Sequence, residues 1–246
     1  ATIGRFSLEV FVLGLFLAWG AGHLLARAIE HGELAASIQR WNDHIRPGGF
    51  TELDKQAHKM MIMYVLARCE EQDHGARLDW EVLVEGGIFE FLHRVVLTDI
   101  KPPIYYRIKE NPEQFRQLTE HVLERLQPAL APLGDFWQRM CRWHRSPDES
   151  SLPRRILTAA HLYASQWEFN LIKPLNSHFD EEMDDIGQSF VDRLDSFSDL
   201  SGLDQMRQQG TALIRLANLC GQLRFQIRWT QAPRIPATSV LGHMFI

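Results

Sequence analysis

The chain has 246 residues, enough for one large domain or a domain with appendages. Hydrophobic residues make up 45% and charged residues 23%, the balance of a globular protein able to bury a core. A net charge of −5 argues against broad nucleic-acid binding, and three widely spaced cysteines with no CxxC argue against a disulfide framework or a zinc-thiolate site.

A reducing, cytoplasmic compartment is therefore expected. The first segment that bears on this is "VFVLGLFLAWGAGHLLA" (Val10–Ala26), which is apolar except for His23. A membrane-spanning helix needs about 20 apolar residues. This run is shorter and contains Gly14, Gly20 and Gly22. It is read as a buried helix or a leader, with a membrane anchor through residues 10–26 as the alternative.

Helix signals dominate the rest of the chain. Leu34, Ile38 and Trp41 share one helical face and predict a helix over Glu33–His44. "RPGGF" breaks the chain at Pro47 and two glycines. "TELD" (Thr51–Asp54) has the form of a capping box and opens a helix that runs to about Gln72. A further helix is predicted from Asp79 or Trp80 to about Leu97, where "TDIKPP" stops it because proline disfavours helix before it. Helices are also predicted over Pro112–Gln127, Leu133–Trp143 and Arg154–Ile172, with a polar loop at Arg145–Pro153. "DEEMDD" (Asp180–Asp185) is acidic at a helix start, where it complements the helix dipole. It is read as a solvated face because it lacks the spacing of a calcium loop. A last long helix is predicted over Asp204–Trp229, followed by a Pro-rich turn and a new helix at Val240. No strand pattern of any length emerges, so the fold class is all-α and multi-helical. The organisation read from this is an N-terminal helical segment over 1–45, a central domain over 46–178, and C-terminal helices over 179–246.

Several polar groups sit on these apolar helices. His58 lies in "QAHKMMIMYVL"; Glu90 and His93 are three apart on the next helix; Asp99 opens the turn after it; His161 and Glu168 lie on a later helix. Such groups can together hold a divalent metal. Each also has a plainer reading: His58 as a core histidine, Asp99 as a turn former, His93 as a surface or paired ring beside Arg94, and His161 as a structural residue. The E-x-x-H spacing of Glu90–His93 is shared with di-iron bundles, which need two copies and two further carboxylates; no second copy is read here, so that reading is set aside.

The order of these pieces, with "VVLTDIKPP" and "ILTAAHLYASQWE", resembles the HD-domain phosphohydrolases, in particular the branch of bacterial 5'-deoxynucleotidases. The resemblance covers Glu52–Ile172, about half the chain. It implies an all-α HD-like bundle, a divalent metal, a nucleotide-like ligand and metal-dependent phosphohydrolysis. Carried over residue by residue, His58 matches the first metal-binding His and Asp99 the turn aspartate near substrate and attacking water. The His-Asp pair that names the family falls on Glu90 and Phe91. The nearby catalytic Glu falls on Arg94, and the final metal Asp falls on Ala160 beside His161. Phenylalanine and alanine cannot ligate a metal, and a hydrolytic site must hold both the ion and a water.

The resemblance therefore implies a degenerate, non-catalytic HD-like unit, structural or regulatory, with no metal of its own. "PRIPATSVLGHMFI" places His243 where a second HD-like opening helix would carry its first ligand. This implies a longer parent whose second unit is the partner of the first. One alternative is an enzyme whose His58, Glu90, His93, Asp99 and His161 converge on a rebuilt metal site. Another is a helical interaction scaffold with no ligand. Arg224 and Arg228 are four apart and could contact a phosphate, or could simply complement a helix end.

Overall fold

The structure is a computed structural model that describes residues 38–46, 51–97 and 102–207. The described residues form helices joined by turns, and their β pairing is a single isolated bridge between Gln39 and Thr51. In chain order the α-helices are α1 (Glu52–Asp73), α2 (Trp80–Val96), α3 (Pro102–Lys109), α4 (Pro112–Leu130), α5 (Asp135–Arg145), α6 (Leu152–Ile172), α7 (Asp180–Asp195) and α8 (Ser201–Arg207). No described helix is long and apolar enough to cross a membrane; Val10–Ala26 lies outside the described residues.

Local chemistry sets most of these ends. Thr51 has extended backbone, and its Oγ1 accepts from the Asp54 amide at 3.2 Å and donates to Asp54 Oδ2 at 2.6 Å. Gly75, at φ +64, follows the C-terminus of α1, where a side chain would be strained. The Asp79 carboxylate accepts from the amides of Glu81 and Val82 and starts α2.

Three sequence expectations change. The residues 38–46 are a bend and turn rather than the end of a helix. Trp41 adopts φ 57, a left-handed conformation incompatible with helical continuation. The helix α3 was not expected, because Pro102 and Pro103 read as a stop. Proline at a first helical position costs no hydrogen bond and is preset for the helix, so the same pair also starts one. The predicted helix over Asp204–Trp229 starts earlier, at Ser201, and its remainder beyond Arg207 lies outside the described residues.

The contacts divide the chain into two units, with the division inside α2 between Leu83 and Val84. One unit holds Val84–Ser150. Its core is built by Ile88, Phe89 and Leu92 of α2, Val122, Leu123 and Leu126 of α4, and Trp137 and Met140 of α5. Arg139 makes two bonds of 2.6 Å to the Glu85 carboxylate, and Arg145 makes two of 2.8 Å to Glu120.

The other unit holds Gln39–Leu83 and the described residues from Ser151 on. Here α1 packs along α6, and α8 lies against α1. Ile62, Leu66, Ile156, Leu157 and Leu162 are buried between them. The close approach of α8 needs Gly202, because a Cβ there would sit 2.9 Å from Cys69 Cβ and 3.1 Å from Leu66 Cδ2. Gly202→Ala should therefore cost about 1–3 kcal/mol by forcing α8 away from α1. A urea melt checks this, and an unchanged midpoint would show that α8 is not held so closely.

Candidate functional site

The most concentrated polar chemistry among the described residues is a buried ion network in the unit built on α1 and α6. Glu52, Lys55 and Lys59 fall on one face of α1 by helical spacing, and all three are buried, at 3%, 2% and 1% exposure. Arg40 comes from the turn before α1. Its Nε donates to Glu168 Oε2 at 2.7 Å and its Nη1 donates to Glu52 Oε2 at 2.6 Å. Trp41 Nε1 donates to the same Glu168 oxygen at 3.1 Å. Glu168, on α6, is fully buried. The left-handed backbone at Trp41 is what turns two consecutive side chains toward one carboxylate.

Lys55 links this pair of carboxylates to His161. Its Nζ lies 3.4 Å from Glu52 Oε1 and 2.7 Å from His161 Nδ1. Burial pushes the Lys55 ammonium down from 10.5 to about 7, Glu52 opposes that, and Arg40 and Lys59 add to it. Burial also holds the His161 ring well below 6.5, reinforced by Lys55, Lys59 and Arg40. Two groups thus compete for one proton, and a charged Lys55 favours a neutral His161.

A lysine depressed in the folded state binds fewer protons than in the unfolded chain between pH 7 and 10.5. Stability rises with pH through that window and falls as the pH returns through 7. We expect the unfolding free energy of the wild-type chain, read from urea melts, to rise from pH 7 to about pH 9 by up to about 1.4 kcal/mol per unit. A Lys55→Met variant should show a flatter profile, and an equally steep one would refute the assignment.

The sequence-derived site residues are divided between the two units. His58 is buried on α1 and packs edge-on to Trp167, with ring centroids 5.0 Å apart. His161 is in the same unit, held by Lys55. Glu90 and His93 are in the other unit, on α2. His93 is buried and stacked on His144, centroids 4.8 Å apart, and its Nε2 has no hydrogen-bond partner among the described residues. His144 Nε2 lies 3.2 Å from the Phe89 carbonyl. Asp99, Arg224, Arg228 and His243 lie outside the described residues. A second E-x-x-H, Glu71–His74, ends α1: Glu71 pairs with Arg68, and His74 Nδ1 lies 2.8 Å from Glu70. It belongs to the unit that lacks Glu90 and His93.

The fit to a divalent metal can be judged from this donor set. Lys55 Nζ, 2.7 Å from Nδ1, occupies that nitrogen's hydrogen-bonding direction, so an ion could reach Nδ1 only by displacing the lysine. Arg40, Lys55 and Lys59 surround the ring with positive charge, which opposes a dication. Phe91 and Ala160, the positions matched to two family ligands, are buried apolar residues. Among the described residues no three His, Cys, Asp or Glu side chains gather closely enough to hold a metal. The residues present around His161 do not fit a divalent ion.

Arg40, Lys55, Lys59 and Glu52 were not singled out from sequence. Their only signal was the spacing Glu52, Lys55, Lys59, which reads equally well as a solvated stripe of opposite charges. Comparison with known proteins completes the description: no family model, no curated protein and no solved structure matches the chain.

Proposed function

We propose that this chain is a non-catalytic helical scaffold that acts through protein contacts, with no metal or nucleotide chemistry of its own. One observation carries this reading: Lys55 Nζ sits 2.7 Å from His161 Nδ1, where a metal would need a free imidazole lone pair. Two carboxylates and three cations fill the space between α1 and α6 with one another's charges. A network of that kind fixes the register of two helices rather than presenting a reactive group.

Descent from an HD-like phosphohydrolase is the second reading. It is favoured by the buried His58 on α1, with the helix α2 after it and then α6 with His161. On that reading the scaffold supports an active HD-like unit, in the cytoplasm.

The test is a phosphatase assay of the full chain on nucleoside 5'-monophosphates with magnesium, manganese, cobalt or zinc. The expected result is no turnover above that of a His58→Ala, His161→Ala double variant. Metal-dependent turnover that this variant loses would overturn the proposal and favour the rebuilt site.

A further inference from the structure

Three large apolar side chains in the unit built on α1 and α6 are left open to water around one residue, Asn176. Ile45 is 57% exposed, Leu175 43% and Phe179 52%. The fully buried Asn176 holds them together. Its Oδ1 accepts from the Ile45 amide at 2.8 Å, its Nδ2 donates to the Ile45 carbonyl at 2.7 Å, and its carbonyl accepts from the Phe179 amide at 2.9 Å. Leu175 is its chain neighbour. His44 Nε2 lies 3.9 Å from Glu182 Oε1, which places the Ile45 turn beside the first turn of α7.

The rim of this patch is strongly acidic. Asp180, Glu181, Glu182, Asp184 and Asp185 are all exposed, and a shallow open groove runs along His178–Glu182. Lys173 pairs with Asp184 at 2.7 Å, which offsets one of these charges. An exposed apolar patch with a predominantly acidic rim fits a partner that is apolar and basic.

The chain itself carries such a segment. From Gln205 to Ile246 the sequence has five arginines and no Asp or Glu. Within it, "LRFQIRWTQAPR" (Leu223–Arg234) places Arg224, Arg228 and Arg234 among Leu223, Phe225, Ile227 and Trp229. Leu223 stands sixteen residues beyond Arg207, the end of α8. Such a span extends to about 54 Å, more than the width of about 30 Å of a unit of this size.

We propose that the apolar trio Ile45, Leu175 and Phe179, with the acidic rim of α7, is a docking surface for the chain's own basic segment Leu223–Arg234. The arginines meet the α7 carboxylates while the aromatic and aliphatic side chains cover the trio. This inference is independent of the scaffold reading, since it would hold equally for an enzyme.

The test places the photocrosslinker p-benzoylphenylalanine at Phe179 in the full chain. Phe179 is exposed, so the substitution leaves the fold intact, and circular dichroism checks this for every variant. The expected product is an intramolecular cross-link to a peptide within 223–234. Its yield should fall several-fold in an Arg224→Glu, Arg228→Glu variant. It should recover when Glu181→Lys and Glu182→Lys are added. Cross-links to a second copy or to another part of the chain, no cross-link at all, or a yield indifferent to the charge reversals would each overturn the proposal.

Discussion

Replacing Arg40 with methionine should destabilise the folded chain by about 3–5 kcal/mol, read as a lower urea midpoint with an unchanged slope. The guanidinium makes short bonds to both Glu52 and Glu168, and Glu168 is fully buried. Removing it strips two carboxylates of their shared cation in a site where water cannot replace it. Arg40 also binds its proton more tightly than usual: burial opposes this, but Glu168 and Glu52 outweigh it. Conservative change does not rescue the site. A lysine has no planar fork to bridge two carboxylates, so Arg40→Lys should retain only part of the stability. Replacing both partners, as Arg40→Met with Glu168→Leu, should cost less than Arg40→Met alone, because no buried carboxylate at position 168 then lacks its cation. A double variant as unstable as the sum of both single variants would mean that the two side chains do not act as a pair.

Acidification between pH 6.5 and about pH 4.5, before most carboxylates titrate, should destabilise the chain by about 2–3 kcal/mol through His93 alone, with His161 adding in the same direction. The cause is two imidazoles held neutral. His93 is pushed down to about 3, first by burial and then by His144 and Arg94. His161 is also held well below 6.5, first by burial and then by Lys55. For both, the unfolded chain binds a proton near pH 6.5 that the folded chain refuses. Their contribution is therefore complete above 6.5 and is lost as the pH falls toward the folded values. His93→Phe keeps an aromatic ring against His144 and removes the titration. Its stability should fall less steeply with acid than that of the wild type, and an identical pH profile would show that His93 is accessible to protons in the folded state.

The fold was legible in the sequence wherever one short stretch held all the information. Thr51 and Asp54 are three residues apart, and they start α1 as a capping box should. The breaks near Gly75 and the Arg145–Pro153 loop were legible for the same reason, since turn chemistry is local. Residues 38–46 were misread because Leu34, Ile38 and Trp41 keep helical spacing. What bends the chain there is distant: Arg40 and Trp41 are drawn to Glu168, more than 120 residues away. The candidate site was harder still. A stripe of Glu52, Lys55 and Lys59 looks like the solvated face of a helix until α6 covers it and Arg40 closes the end. His161 was singled out for its lone pairs, whereas in the structure Lys55 Nζ, which no spacing rule connects to it, lies 2.7 Å from its Nδ1.

We propose that Lys55, not a metal, is the partner of His161. The most direct measurement is the nitrogen-15 spectrum of the histidine rings in the full chain, with His161 assigned through a His161→Gln variant, recorded during titration with zinc. The expected result is a neutral His161 protonated at Nε2, with Nδ1 accepting a hydrogen bond, a signal unchanged by zinc and altered by Lys55→Met. A His161 resonance that shifts at one zinc per chain, while Lys55→Met leaves the zinc-free spectrum unchanged, would contradict it.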